Sequence, residues 1–371
     1  MTDRDDERHM RRALELAASA RGLTSPNPMV GAVIVNAGDV VGEGLHSAAG
    51  RPHAEVEALA VAGPRARGST MYVTLEPCAH HGRTPPCAPA VVAAGIRRVV
   101  AASADPNPAV SGRGFDLLRA AGVDVAVGPL ATEAAALNRV FFTAMRQRRP
   151  HVTLKGAMTL DGKIADVHGG SRWITGEPAR REAHRLRSEA DAIVVGVGTV
   201  LADDPALTVR LERPWPREPY RIVLDTHART SPTARLIHEG AAARALIAIG
   251  GDAPLERVRA LEAAGATVVR CATRGGRVDI AGLLTELFAR DVHGLLVEGG
   301  GEVHAAFLDA GLVDRVAVFV APRLLGGRTA PALVGGGGTD LKNAVVLSAF
   351  TVRAVGDDLL IESDVARPPA P

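Results

Sequence analysis

Short runs of β-branched and aliphatic residues recur along the chain, bounded by glycine, proline or charged positions, and alternate with stretches of helical spacing. In the first 130 residues the runs VGAVIV (30–35), TMYVTL (70–75), RRVVAA (97–102) and VDVAV (123–127) predict strands. Between them 53–62, 87–94 and 114–121 predict helices. Before the first strand, Met10, Leu14, Ala17 and Ala18 share one face of an amphipathic helix whose mixed charges are unlike a secretory signal.

A polar stretch ending in proline, RQRRP (146–150), separates this series from a second. HVTLKGAM (151–158), DAIVVG (191–196), RIVLD (221–225), RALIAI (244–249), ATVVR (266–270), GLLVEGG (294–300) and RVAVFVA (315–321) predict strands, with helices near 177–189, 254–264, 280–290 and 302–310. Strands alternating with helices predict two layered α/β domains, the second with a largely parallel sheet. The expected division is 1–146, a linker at 147–150, 151–365, and a disordered tail at 366–371. The run GGGG (335–338) reads as a flexible loop.

Composition narrows the class of protein. The 371 residues suit two domains, and 47% hydrophobic with 23% charged positions is globular. No apolar run reaches the roughly 20 residues that span a bilayer. A formal net charge of +2 gives little support to nucleic-acid binding. Three cysteines, Cys78, Cys87 and Cys271, form no disulfide framework, and a cytoplasmic protein is expected. Lys155, Lys163 and Lys342 are the only lysines among 43 basic residues, so each marks a position where a compact or titratable amine is wanted.

Two of the cysteines and one histidine carry the first chemical signal. His53 and Glu55 lie two positions apart at the start of a helical stretch, and Cys78 and Cys87 each follow a proline. One histidine and two thiolates give zinc three protein ligands and leave its fourth position to water, which is the catalytic arrangement. Glu55 can then move a proton without ligating the metal. His-x-Glu followed by Pro-Cys-x-x-Cys is the signature of the zinc nucleobase deaminases, from which this chain departs in placing Cys87 nine positions after Cys78 instead of three. Helix N-termini are expected to help keep both sulfurs ionised.

The nine-residue spacing inside TLEPCAHHGRTPPC resembles the riboflavin-pathway pyrimidine deaminases, and PNPMVGAVIV, GEGLH, PHAEVEAL and DPNPAVSGRG extend the resemblance through the first domain. It implies a cytidine-deaminase-like three-layer α/β/α fold. It also implies one zinc ion on His53, Cys78 and Cys87, and Glu55 as proton shuttle. Asn27, His46, His80 and Arg83 match positions around a phosphorylated diaminopyrimidinone substrate, Arg83 as a phosphate contact.

In the second half GLLVEGGGEVHAAFLDAGLVD runs from a strand through three glycines into a helix start, a place where backbone amides can meet a phosphate. KGAMTLDGKIA, SRWITG and VGVGTVLADDPALTVR accompany it. Together they resemble the companion reductase of the same pathway, a three-layer α/β/α domain of dihydrofolate-reductase-like fold, as far as APRLLGG. The resemblance implies NADPH against Ala157, Trp173, Thr199, Asp203, Thr226, Gly300, Gly301, Glu302, Val303, His304, Ala305 and Ala306. Substrate would meet Ser171, Arg187, Leu207, Arg210 and Glu298, with Arg187 and Arg210 available to its phosphate. Hydride would reach the sugar C1 of a ring-opened imine, and Lys155, Asp203 or water could supply the proton.

The whole chain thus resembles a bifunctional deaminase and reductase acting on a small phosphorylated pyrimidine, without nucleic acid or membrane and as a homo-oligomer. Two other readings are a nucleoside or tRNA deaminase fused to a nucleotide-binding domain, and a structural zinc module joined to a nucleotide sensor. The cysteine spacing, the near-neutral charge and the second domain weigh against the first, and the open fourth coordination position beside Glu55 against the second.

Overall fold

In a computed structural model residues 3–80, 85–108 and 110–366 are described, and the chain forms two compact units, Met1–Arg149 and Pro150–Pro371. The disordered-tail expectation falls almost wholly outside the described residues.

The first unit has five strands: β1 (Gly31–Asn36), β2 (Asp39–Leu45), β3 (Thr70–Val73), β4 (Arg98–Ala101) and β5 (Asp124–Val127). Their order is β2-β1-β3-β4-β5, with β1 antiparallel to both neighbours and β3, β4 and β5 parallel. Alternate residues of β1 enter opposite cores. Ala32 and Ile34 pack with Ala54, Ala58 and Val91, while Val33 and Val35 pack with Met10 and Ala13 of the N-terminal helix Asp3–Ser19. That double burial is why the strand reads as an unbroken apolar run, and it makes the unit three-layered.

β2 was not foreseen, because DVVGEGL has two glycines and weak alternation. Its glycines serve the helix Ala54–Ala62, which packs directly on it. A Cβ at Gly42 would lie 2.3 Å from Ala58 O, and one at Gly44 the same distance from Ala54 O. Close approach of an alanine-rich helix to a glycine-bearing strand sets the height of His53 and Glu55. The helices Ala131–Leu137 and Arg139–Gln147 also went unforeseen.

The second unit holds β6 (His151–Thr159), β7 (Ala192–Gly196), β8 (Tyr220–Leu224), β9 (Ala245–Ile249), β10 (Thr267–Arg270), a small hairpin of β11 (Thr273–Arg274) and β12 (Arg277–Val278), β13 (Gly294–Val297), β14 (Arg315–Ala321), β15 (Thr351–Val355) and β16 (Asp358–Asp364). The main sheet runs β10-β9-β8-β7-β13-β6-β14-β16-β15. From β10 to β14 it is parallel, as the sequence pattern implied, and β16 and β15 add an antiparallel edge. Ile193 and Val195 face one helical layer, Ala192 and Val194 the other, so this unit too is three-layered.

Candidate functional sites

His53 is the N-cap residue of helix Ala54–Ala62, and Glu55 lies in its first turn. Cys87 opens the helix Cys87–Ala93, and its backbone N–H donates to Cys78 Sγ at 3.3 Å. His53 Nδ1 stands 3.2 Å from Cys87 Sγ and 3.6 Å from Cys78 Sγ. Tetrahedral zinc with its usual bond lengths sets such nitrogen and sulfur atoms about 3.5 Å apart, so the three side chains fit one ion. Among the described residues no other such group of metal-ligating side chains occurs.

Glu55 is 3% exposed, and burial pushes its carboxyl up to about 7. The hydrogen bond between the two sulfurs lowers Cys78 and raises Cys87. His46 lies edge-on to His53 with ring centroids 5.3 Å apart. Its Nδ1 is 3.0 Å from the Pro52 carbonyl and must donate, which leaves Nε2 to accept from the Asn27 amide at 3.0 Å. Asn27 and His46 therefore stand beside the cluster as a fixed pair. His80 is exposed, and Arg83 lies outside the described residues.

Glu76, two residues before Cys78, was missed. Its buried carboxylate accepts from the backbone N–H groups of Asp105, Gly112, Gly114 and Phe115, tying the 105–115 segment beneath the cysteine loop. Gly114 approaches so closely that a Cβ there would lie 1.9 Å from Pro77 O. The signal was present as a charged residue inside an apolar strand end, but EPC reads first as the frame of a metal ligand.

In the second unit the C-terminal ends of β6, β7, β8 and β13 open onto a cavity of about 910 Å³. Lys155, Ala157, Ser171, Trp173, Thr199, Asp203, Thr226, Glu298, Gly300, Gly301, Glu302, Val303, His304 and Ala306 all line it. Arg187, Leu207, Arg210 and Ala305 lie off its wall. Arg180, Arg229 and Arg277 line it without having been foreseen, because single arginines among forty carry no pattern.

Behind the wall at Lys155 and Glu298 a buried charge pair is already made. Arg187 Nε and Nη2 each reach a Glu298 oxygen at 2.7 Å, and Nη1 donates to Thr208 O. Burial alone would raise Glu298, but Arg187 and then Lys155 outweigh it and hold the carboxyl at about 2. Burial pulls the Lys155 amine down, against the pull of Glu298. Arg187 is thus engaged by a carboxylate that it holds in place. Asp203 sits further out, 38% exposed, with Arg172 3.9 Å away.

The GGGG run, 335–338, is a loop with two contacts to the neighbouring helix start. Gly335 N–H donates to Gly301 O and Gly336 N–H to Glu302 Oε1, so the segment is docked on the start of helix Gly301–Asp309.

Residues 3–103 match the family model described as the cytidine and deoxycytidylate deaminase zinc-binding region, and residues 150–361 match that of the RibD C-terminal domain. The riboflavin biosynthesis protein RibD of Actinobacillus pleuropneumoniae is 43% identical over 369 residues, covering 99% of this chain and 96% of that protein. The structure of Acinetobacter baumannii RibD superposes with a TM-score of 0.88 at 36% identity, covering 99% of this chain and all of that one. The Thermotoga maritima structure described as a diaminohydroxyphosphoribosylaminopyrimidine deaminase and 5-amino-6-(5-phosphoribosylamino)uracil reductase gives 0.84 at 35% identity, over 98% of this chain and 99% of that one.

Proposed function

The chain belongs to the RibD family and is a bifunctional deaminase and reductase of riboflavin biosynthesis with a zinc-binding deaminase domain; on that premise we propose which substrates it takes and which residues act on them. The first unit deaminates diaminohydroxyphosphoribosylaminopyrimidine, and the second reduces 5-amino-6-(5-phosphoribosylamino)uracil with NADPH. The observation that carries this reading is Glu55, buried beside a histidine and two cysteines spaced for one zinc ion.

Zinc held by His53, Cys78 and Cys87 would supply a Lewis acid that makes water a nucleophile at neutral pH. Glu55 accepts one proton from the water and passes it to the ring nitrogen, then takes the second from the adduct's hydroxyl and passes it to the departing amine, which leaves as ammonia. Asn27 and His46 orient the pyrimidine, His80 meets the substrate, and Arg83 is assigned to its phosphate by the resemblance alone.

In the second unit NADPH would supply the hydride that goes to the sugar C1 of the ring-opened imine. Lys155 gives the proton that the imine nitrogen needs. It faces the cavity beside Glu298, whereas Asp203 stands at the rim. Arg187 positions Glu298, Ser171 and Glu298 meet the substrate, and Arg210 remains for its phosphate. Ala157, Trp173, Thr199, Thr226 and the 300–306 segment border the cofactor, with the amides at Gly300 and Gly301 receiving its pyrophosphate.

The assembly is proposed to be a homo-oligomer in the cytoplasm that engages no nucleic acid. At the β15 edge of the second unit Phe350 is 61% exposed and Val352 53%, apolar side chains that a second copy would cover. No described helix is long and apolar enough to cross a membrane. Mass spectrometry of the product from the diamino substrate, with and without NADPH, tests the reading. It expects deaminated ribosyl product without the cofactor and ribityl product with it. An unaltered amine in a zinc-loaded preparation would refute it.

A further inference from the structure

Beyond the reacting end of the cavity lie guanidinium groups that this chemistry does not use. The sheet order β6-β13-β7-β8 sets the end of β8 three strands from that of β6, or ~14 Å at the usual strand spacing. The chain leaves β8 through a turn at 225–230 that is fixed from beneath. Asp225, fully buried, accepts from Thr230 N–H at 2.6 Å and from Thr230 Oγ1 at 2.8 Å, and Ala228 N–H returns to Asp225 O at 3.0 Å. This turn presents Thr226, His227 and Arg229 to the cavity.

The β11–β12 hairpin is docked against the same turn, with Val278 N–H donating to Thr226 Oγ1 at 3.2 Å, and it brings Arg277 to the wall. The two arginines differ in what they meet. Both Arg277 Nη atoms lie 3.2 Å from Glu302 Oε2, so much of that charge is matched. Arg229 is exposed, and no acceptor among the described residues engages its guanidinium. A cation on a rigid turn, facing a cavity and lacking an anion of its own, is arranged to receive one from a ligand.

We propose that Arg229 is the specificity-determining residue of the reductase site, taking the 2′-phosphate of NADPH and so separating it from NADH. The proposal rests on the reading of NADPH as reductant. With the pyrophosphate at the Gly300 and Gly301 amides after β13, the nicotinamide half extends toward Lys155 on β6. The adenosine half then extends over β7 to β8, ~10 Å the other way. A phosphomonoester dianion could also come from the pyrimidine substrate. Arg229 lies beyond the pyrophosphate position from the reacting end, which favours the cofactor.

Calorimetric titration of the full-length protein with adenosine 2′,5′-bisphosphate and with 5′-AMP tests this without turnover. The wild type binds the bisphosphate more tightly. Arg229→Gln loses about ten- to a hundredfold in bisphosphate affinity, the strength of a charge-assisted hydrogen bond, and leaves 5′-AMP unchanged. Arg229→Lys recovers part of the loss, and Arg277→Gln loses less, because Glu302 already matches its charge. Thermal melting checks the fold, which an exposed side chain without partners should not disturb. Undiminished bisphosphate affinity in Arg229→Gln, or an equal loss for 5′-AMP, overturns the proposal. So does a variant whose only defect is a raised KM for the phosphorylated pyrimidine, which gives Arg229 to the substrate. A wild type that binds the two adenosine ligands alike removes the NADPH reading itself.

Discussion

The two units solve the problem of placing a reactive group in different ways. In the first, three ligand atoms within 4.8 Å of one another and one buried carboxyl make the centre, all supplied by two helix starts and a loop. In the second, the centre is a cavity of about 910 Å³ whose walls come from the ends of several strands. A metal site is dictated by bond lengths, so few residues define it and each is indispensable. A dinucleotide cavity is defined by many contacts, each replaceable, around one buried charge cluster.

The sharpest way to break this contrast is Glu55→Gln. An amide cannot carry the proton, so deamination should fall by about 10²- to 10⁴-fold while zinc, measured by metal analysis, stays stoichiometric. Full deamination with zinc bound would remove Glu55 from its role.

The second unit should respond to Glu298→Gln through stability as much as through rate. Removing the carboxylate leaves Arg187 and Lys155 without their counter-charge, at a cost of about 3 kcal/mol in the unfolding of that unit. The pH dependence has a definite sign. Because Glu298 is held at about 2, below its ordinary 4.5, it stabilises the folded unit above about pH 4.5, and that contribution is lost as pH falls from 4.5 through 2. Melting curves from pH 6 to 3 should drop more steeply in the wild type than in Glu298→Gln. Parallel curves would mean that the cluster is not ionised as described.

The smallest expected effect is at Cys271, which sits after β10 with its sulfur near Val269 O, in the unit without the zinc ligands. Cys271→Ser should leave zinc content at one per chain and both activities within twofold. Loss of zinc there would mean the metal site was assigned to the wrong cysteines.

The contrast also explains what could be read in advance. His53, Glu55, Cys78 and Cys87 were legible because zinc chemistry demands particular atoms at short spacing. The layered α/β order was legible because strands buried on both faces, such as β1 and β7, form unbroken apolar runs. β2 was not, since its glycines encode contact with a helix rather than strand propensity. Glu76 was hidden because its partners are backbone amides some 30 to 40 positions away. The pairing of Arg187 with Glu298 was hidden for a related reason: a guanidinium suits a phosphate and a carboxylate equally, and only the fold brings Glu298 to it.

The division of labour itself is tested most directly by His53→Ala, given the diamino substrate and, separately, substrate already deaminated, with NADPH oxidation followed in the second case and thermal melting used to verify folding. All zinc ligands lie in Met1–Arg149 and the whole lining of the large cavity in Pro150–Pro371. The variant should therefore fail to deaminate yet reduce the deaminated substrate at close to the wild-type rate. If reduction collapsed in a folded His53→Ala protein, the two centres would share machinery, and the assignment of one reaction to each unit would be wrong.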